Sequence, residues 1–284
     1  MTGPIDIRND ATEKNYWSEF ENIWTSLLTY RYLGRTNPVL DQGVDDVTMP
    51  LRHDMRNVLG GIMAAPLSIA AAECGGMHDD LYIPNPLSSS LQIIDNAVGV
   101  TRVRVLPEAI KIGRSMGFSR SKIVDANDEC RVIALSSGSA ISLGTPPPGY
   151  RKVVNPPLPV VDSPQMPALT KVFGAINSGE GVWSLPELNT RSASPDAALH
   201  LGPQHVTLEA AATFLAEQQA GHSNLQIRHW QLTFVARGKV GPFKTQGYAY
   251  RGDDGFIAVE VLLRDCANEN RPITMASALF VEST

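Results

Sequence analysis

At 284 residues, with 43% hydrophobic and 19% charged residues, the chain has the composition of a packed globular protein and excludes disorder as a whole-chain description. A formal net charge of -5 with no run of five basic residues gives no electrostatic footprint for nucleic acid or an anionic membrane. No stretch of 18 apolar residues occurs, and the N-terminal residues carry charges where a signal peptide has an apolar core. Three cysteines, Cys74, Cys130 and Cys266, are widely spaced and odd in number, so a cytoplasmic protein with reduced thiols, no structural metal and no cofactor is expected.

In chain order, the first element is amphipathic. Trp17, Phe20, Ile23, Trp24, Leu27 and Leu28 recur at helical spacing within Tyr16 to Leu33, which predicts a helix packed on the body inside an N-terminal segment of residues 1–45. Next comes "VLGGIMAAPLSIAAAECGG", Val58 to Gly76, which reads as a buried helix opening on Gly60 and Gly61. Glycines at a helix start either permit close packing or leave free amides, at the positive end of the helix dipole, for a carbonyl or phosphate oxygen. Pro66, inside this helix, is expected to bend it.

An internal repeat follows. Shifted by 140 residues, Ile123 to Ile141 aligns with Leu263 to Phe280, with Asp125 on Asp265, Arg131 on Arg271, Ile133 on Ile273 and Ser137 on Ser277. Both segments are a strand, a polar turn and a second strand. Strand alternation extends the match backward, placing Ser90 to Asp95 opposite Trp230 to Val235 and Val103 to Ile110 opposite Phe243 to Tyr250. The glycine-led helix stands opposite Gly202 to Glu217. Each half is thus one long helix followed by four or five strands, over residues 46–144 and 196–284. Between them, residues 145–195 read as a proline-rich linker draped over the surface, with a short helix near "MPALTKVFGAI". The strands around Val103 to Val105 and Phe243 to Thr245 should belong to one continuous sheet.

A helix wrapped by an antiparallel sheet, twice in one chain, resembles the α+β double hotdog fold. The resemblance is carried further by "KIGRSMGFSRSKIVD", where Gly113, Arg114, Ser115 and Arg120 are similar to a strand segment of acyl-CoA thioesterases of the thioesterase II type, and by the paired glycines of the first helix. It implies an acyl-CoA substrate held between helix and sheet, an oxyanion received by helix-start amides of Gly60, Gly61 or Gly202, and an acidic residue that attacks or activates water. Such a protein works as a monomer or a homo-oligomer of double hotdogs.

Ser68, eight residues after Gly60, stands where many single-hotdog thioesterases carry a carboxylate, so the first half departs from that pattern, and Glu73 lies near the helix end. In the second half His200 precedes Glu209 by nine residues, an interval similar to the His and acidic pair of the family, which makes Glu209 the candidate general base in apolar surroundings that raise its pKa. His205, one turn earlier, shares its face. His200, Gln204, His205 and Ser68 are candidate substrate contacts, and the resemblance implies a hydroxyl residue and a glutamine that hold the attacking water, for which Thr207, Gln204, Thr245 and Gln246 are candidates. Competing signals are poor. No Gly-x-Ser-x-Gly elbow occurs, "GEGVWS" lacks the third glycine of a dinucleotide loop, "RHDMRN" has the hydratase Asp and His in the wrong order, and His78, Asp79 and Asp80 read as a helix-terminal loop rather than a metal site. The rival to a hydrolase is a non-catalytic acyl-CoA-binding or assembly protein with a decayed site.

Overall fold

The computed structural model describes residues 3–71 and 76–283; Glu73 and Cys74 lie outside them. Three short helices come first: α1 (Ile7–Asp10), α2 (Tyr16–Ser26) and α3 (Leu28–Leu33). The helix predicted over 16–33 is therefore two, broken at Leu27, whose ψ of 117° is extended. The break turns Tyr30 and Tyr32 inward, so both sides of the bend are buried. Then follow β1 (Val47–Pro50), α4 (Ala64–Ala71) and the strands β2 (Pro84–Ile93), β3 (Arg102–Ile112), β4 (Met116–Asp125) and β5 (Asp128–Ser142). The connection holds α5 (Leu169–Val172), β6 (Ile176–Asn177) and β7 (Trp183–Leu185). The second half is α6 (Leu201–Ala220), β8 (Leu225–Phe234), β9 (Phe243–Arg251), β10 (Ile257–Asp265) and β11 (Arg271–Glu282).

All eleven strands form one sheet, in the order β1-β3-β4-β5-β2-β8-β11-β10-β9-β7-β6. The two halves meet at an antiparallel seam in which Ser88 to Gln92 of β2 pair with Thr233 to His229 of β8. Around it the repeat becomes a two-fold arrangement. Ser90 pairs with Gln231 across the seam, Ser137 and Ser277 flank them, and Arg120 and Glu260 lie outside those. This is the α+β double hotdog expected from the sequence, with β3 and β9 in the same continuous sheet.

The two long helices lie between the arms of this sheet. Every residue of α4 is buried, as are Val206, Leu208, Ala211, Ala212 and Ala216 of α6. A helix enclosed on all sides cannot show a one-sided apolar stripe, which is why α4 is uniformly small and apolar. Trp230, Phe243, Phe280 and Leu263 fill the second arm, all 2% exposed or less.

The linker expectation needs correction. Leu169, Phe173, Ala175 and Leu185 are buried in the core, and β7 adds to the sheet edge by pairing Ser184 with Lys244 and Leu185 with Phe243. "GEGVWS" is the turn of the β6–β7 hairpin, where Gly179 and Gly181 take φ of +93° and +78°. Only the earlier, proline-rich part is largely exposed. Limited trypsin digestion is expected to cut first after Arg151 or Lys152, with the nicked halves remaining associated through the seam. A first cut after Lys171, or separation of the halves on gel filtration, would contradict this arrangement.

Candidate functional site

Helix α4 begins at Ala64, not at Gly60. Gly60 and Gly61 belong instead to a turn organised by Asn57, whose main-chain carbonyl accepts from the Gly60 amide at 2.9 Å and whose Oδ1 accepts from the Gly61 amide at 2.9 Å. Both glycine amides are thus engaged and cannot serve as oxyanion donors in this conformation. Gly60 is there for its φ of +79°.

The true helix start accounts for every amide that has no partner inside the helix. The Met63 amide donates to the Met55 carbonyl at 2.9 Å, and Pro66, third in the helix, has no N–H to satisfy. Between them the Ala64 and Ala65 amides donate to the two carboxylate oxygens of Glu209 on α6, at 2.8 and 2.6 Å. Pro66 therefore sits where proline costs no hydrogen bond, and the bend expected of it loses its cause.

Glu209 is 3% exposed, and burial pushes its carboxyl up to about 7 against the lowering effect of the Ala65 and Ala64 amides. Its apolar surroundings and raised pKa are as expected. Its position is not that of a free base, because both oxygens are held by α4. Here a side chain of one half closes the helix start of the other.

Helix α6 repeats the pattern of α4 with one difference. Its capping residue His200 donates its amide to the Ser192 carbonyl at 2.8 Å, and Pro203 is third in the helix, as Pro66 is in α4. The intervening amides, of Leu201 and Gly202, have no hydrogen-bond partner among the described residues. A cavity of about 290 Å³ opens here, lined by His200, Leu201 and Gln204 from the helix start and by Ala71 at the far end of α4. Tyr16, Phe20, Trp24 and Tyr30 wall it from the N-terminal segment, and His78 and Asp79 from the chain after α4. Gly202 is required by packing, since a β-carbon there would overlap Thr29.

Burial shapes the titratable groups of this region. Burial takes the Asp79 carboxyl up to about 7, with neighbouring Asp80 adding to the rise. The His200 imidazole is driven down to about 3 by burial, helped by Arg237, and Nδ1 lies 3.0 Å from Thr29 Oγ1, so the ring is neutral. Gln204 is pinned, its Nε2 donating to the Leu199 carbonyl at 2.7 Å and its Oε1 accepting from Thr274. His205, also held at about 3 by burial, accepts from Trp230 Nε1 at 3.2 Å inside the core. Arg237 pairs with Asp196 at 2.6 Å and keeps that carboxyl at about 2 despite burial.

The structure thus brings His200, Gln204 and the neighbourhood of Gly202 to one cavity, and leaves Glu209, His205, Ser68, Gly60 and Gly61 outside its lining. Ser68 is buried within α4, Thr207 donates to the Pro203 carbonyl at 2.7 Å, Thr245 accepts from the Trp183 amide at 2.8 Å, and Gln246 is on the outer face. Asp79, set aside in the sequence as part of a loop, is one of two carboxylates that line the cavity among the described residues; the other, Asp196, is committed to Arg237. The signal for Asp79 was its place just beyond a buried helix. Among the described residues, no three His, Cys, Asp or Glu side chains are grouped to hold a metal ion, and no helix is long and apolar enough to cross a membrane.

Two helices packed against one another within one antiparallel sheet define a double hotdog fold. Solved structures share that fold. The tesB protein of Mycobacterium avium subsp. paratuberculosis superposes with a TM-score of 0.60 at 10% identity, over 94% of this chain and all of its own. Acyl-CoA thioesterase II TesB2 from Mycobacterium marinum gives 0.54 at 12% identity, over 86% and 94%. A protein of unknown function with the hot dog fold from Alicyclobacillus acidocaldarius gives 0.54 at 9%, over 86% and 96%. No family model and no curated protein matches the sequence.

Replacing Glu209 by Ala leaves two buried amides unpaired, each costing about 1–3 kcal/mol, so a stability loss of about 3 kcal/mol is expected in urea unfolding. A carboxyl raised from 4.5 to about 7 by folding contributes stability that is fully present below pH 4.5 and is lost as pH rises towards 7. The difference in stability between wild type and Glu209→Gln should therefore move against the wild type across that window and be flat above it.

Proposed function

We propose that the chain hydrolyses acyl thioesters, acyl-CoA among them, and that the cavity at the start of α6 is the working site. One comparison within the molecule supports this reading. The paired amides at the start of α4 hold the two oxygens of a carboxylate, so the geometry of such a start suits an oxygen bearing negative charge. In the equivalent pair of α6, Leu201 lines the cavity and Gly202 follows it under Thr29, and neither amide has a partner among the described residues.

In this reading the thioester carbonyl oxygen accepts from the Leu201 and Gly202 amides, which strengthens as negative charge develops on it. The Asp79 carboxylate takes a proton from water, the water oxygen bonds to the carbonyl carbon, and the C–S bond breaks. The products are the free acid and the thiol, which receives the proton. A carboxyl near 7 is matched to this duty at neutral pH, being ionised in a large share of molecules yet basic enough to accept a proton. Neutral His200, fixed by Thr29, adds no competing charge. Gly202 keeps the donor role expected of it, Asp79 takes the role expected of Glu209, and Glu209 becomes the residue that fixes α4 against α6.

Free thiol released from a panel of acyl-CoAs, read by a thiol-reactive dye, tests the reading. Asp79→Asn is expected to lower kcat about 10²–10⁴-fold with the fold intact, and wild-type kcat should rise with pH through about 7. Glu209→Gln should leave kcat of the folded protein nearly unchanged. If Glu209→Gln abolishes turnover while Asp79→Asn does not, the site belongs at the start of α4. Tight acyl-CoA binding without thiol release supports the binding protein instead.

A further inference from the structure

The inner faces of the two halves differ position by position in a way that the shared fold does not require. In the second half the wall beneath the helix is Ile257, Val259 and Val261 on β10 and Ala276, Ala278 and Phe280 on β11, all buried. At the same positions in the first half stand Gly117, Ser119 and Ser121 on β4 and Ser136, Gly138 and Ala140 on β5. Each is smaller or more polar than its counterpart.

Two hydroxyls of this wall, and one beside it, have no hydrogen-bond partner among the described residues. Ser119 and Ser121 are each 4% exposed, and their Oγ atoms, with that of Ser89, are buried without a hydrogen-bond partner among the described residues. Ser89 lies opposite Gly138, which lies opposite Ser119, and Ser121 lies opposite Ser136, so the group spans three adjacent strands. Pro107, which lines the cavity, is the cross-strand partner of Ser121 and shares its face of the sheet. The wall therefore begins at the cavity edge.

Burying an unpaired hydroxyl costs free energy, and replacing these serines with alanine would remove that cost without strain. Three such groups on one face, at positions where the other half has aliphatic side chains, are a recognition surface rather than a stabilising one. We infer that the first half holds an acyl group bearing hydroxyl or keto oxygens, which the Ser89, Ser119 and Ser121 hydroxyls bind, in preference to a plain hydrocarbon chain. The inference names the substrate class of the proposed site and rests on that reading for the thioester, but not for the recognition of the acyl group.

Binding of free octanoic acid and of monohydroxylated octanoic acids, with the hydroxyl at successive positions, can be followed through the fluorescence of Trp24, which lines the cavity. At least one hydroxy acid is expected to bind about 3–10-fold more tightly than octanoic acid. In the double variant Ser119→Ala/Ser121→Ala that advantage should vanish, and the ligand-free Tm should rise by about 2–4 °C for each unpaired hydroxyl removed. No hydroxy acid preferred over octanoic acid, or a preference that survives in the double variant, overturns the inference. Thiol release from the corresponding CoA esters is measured separately. Its absence would count against hydrolysis alone, since the free acids report recognition without it.

Discussion

A helix whose start is buried must find partners for the amides that its own turns cannot use, and this chain buries two such starts within one sheet. Everything around the candidate site follows from how each start is closed. Met63 and His200 lend their amides to loop carbonyls, and Pro66 and Pro203 remove a donor by having none. That leaves two amides in each helix. In α4 they are taken by Glu209, a residue of the other half, so the closure also locks the halves together.

The asymmetry between the halves is built on this. A two-fold arrangement centred on the β2–β8 seam gives the molecule two equivalent junctions, and only one is filled by a described side chain. At the other, the N-terminal segment takes the place of a plug. Thr29 packs on Gly202 and binds His200, while Phe20, Trp24 and Tyr30 stand back far enough to leave a cavity. The aromatic helices that the sequence presents as packing material thus also shape the space beside α6. Tyr30 contributes twice, as a wall and as the ring over which the Arg35 guanidinium lies at 5.0 Å.

Electrostatics separates the two junctions further. Glu209 and Asp79 are both driven up to about 7 by burial, yet the first has both oxygens committed to amides of the other half and the second lines the cavity. Similar acidity does not make them similar chemically, because a base needs an unoccupied oxygen within reach of water. His200 is too deeply buried to carry charge at neutral pH, so Asp79 is not neutralised by an imidazolium from that residue.

The sequence by itself determined the repeat and hence the architecture. Asp125 with Asp265, Ser137 with Ser277 and the alternation in β3 and β9 are local patterns, written in consecutive residues, and they carry into the structure at a shift of 140. The apolar immediate neighbours of Glu209 also pointed to apolar surroundings for its carboxylate, while a solvated place on the helix exterior fitted the same residues. The sequence could not decide what that carboxylate touches, since the Ala64 and Ala65 amides come from the other half of the chain. Nor did the paired glycines locate the helix start; the prolines at the third helical position, Pro66 and Pro203, mark it, through a steric rule rather than a motif. Which junction stays open, that Asp79 faces it, and that part of a proline-rich linker becomes a sheet edge were decided only by tertiary packing, because each depends on segments far apart in sequence competing for the same space.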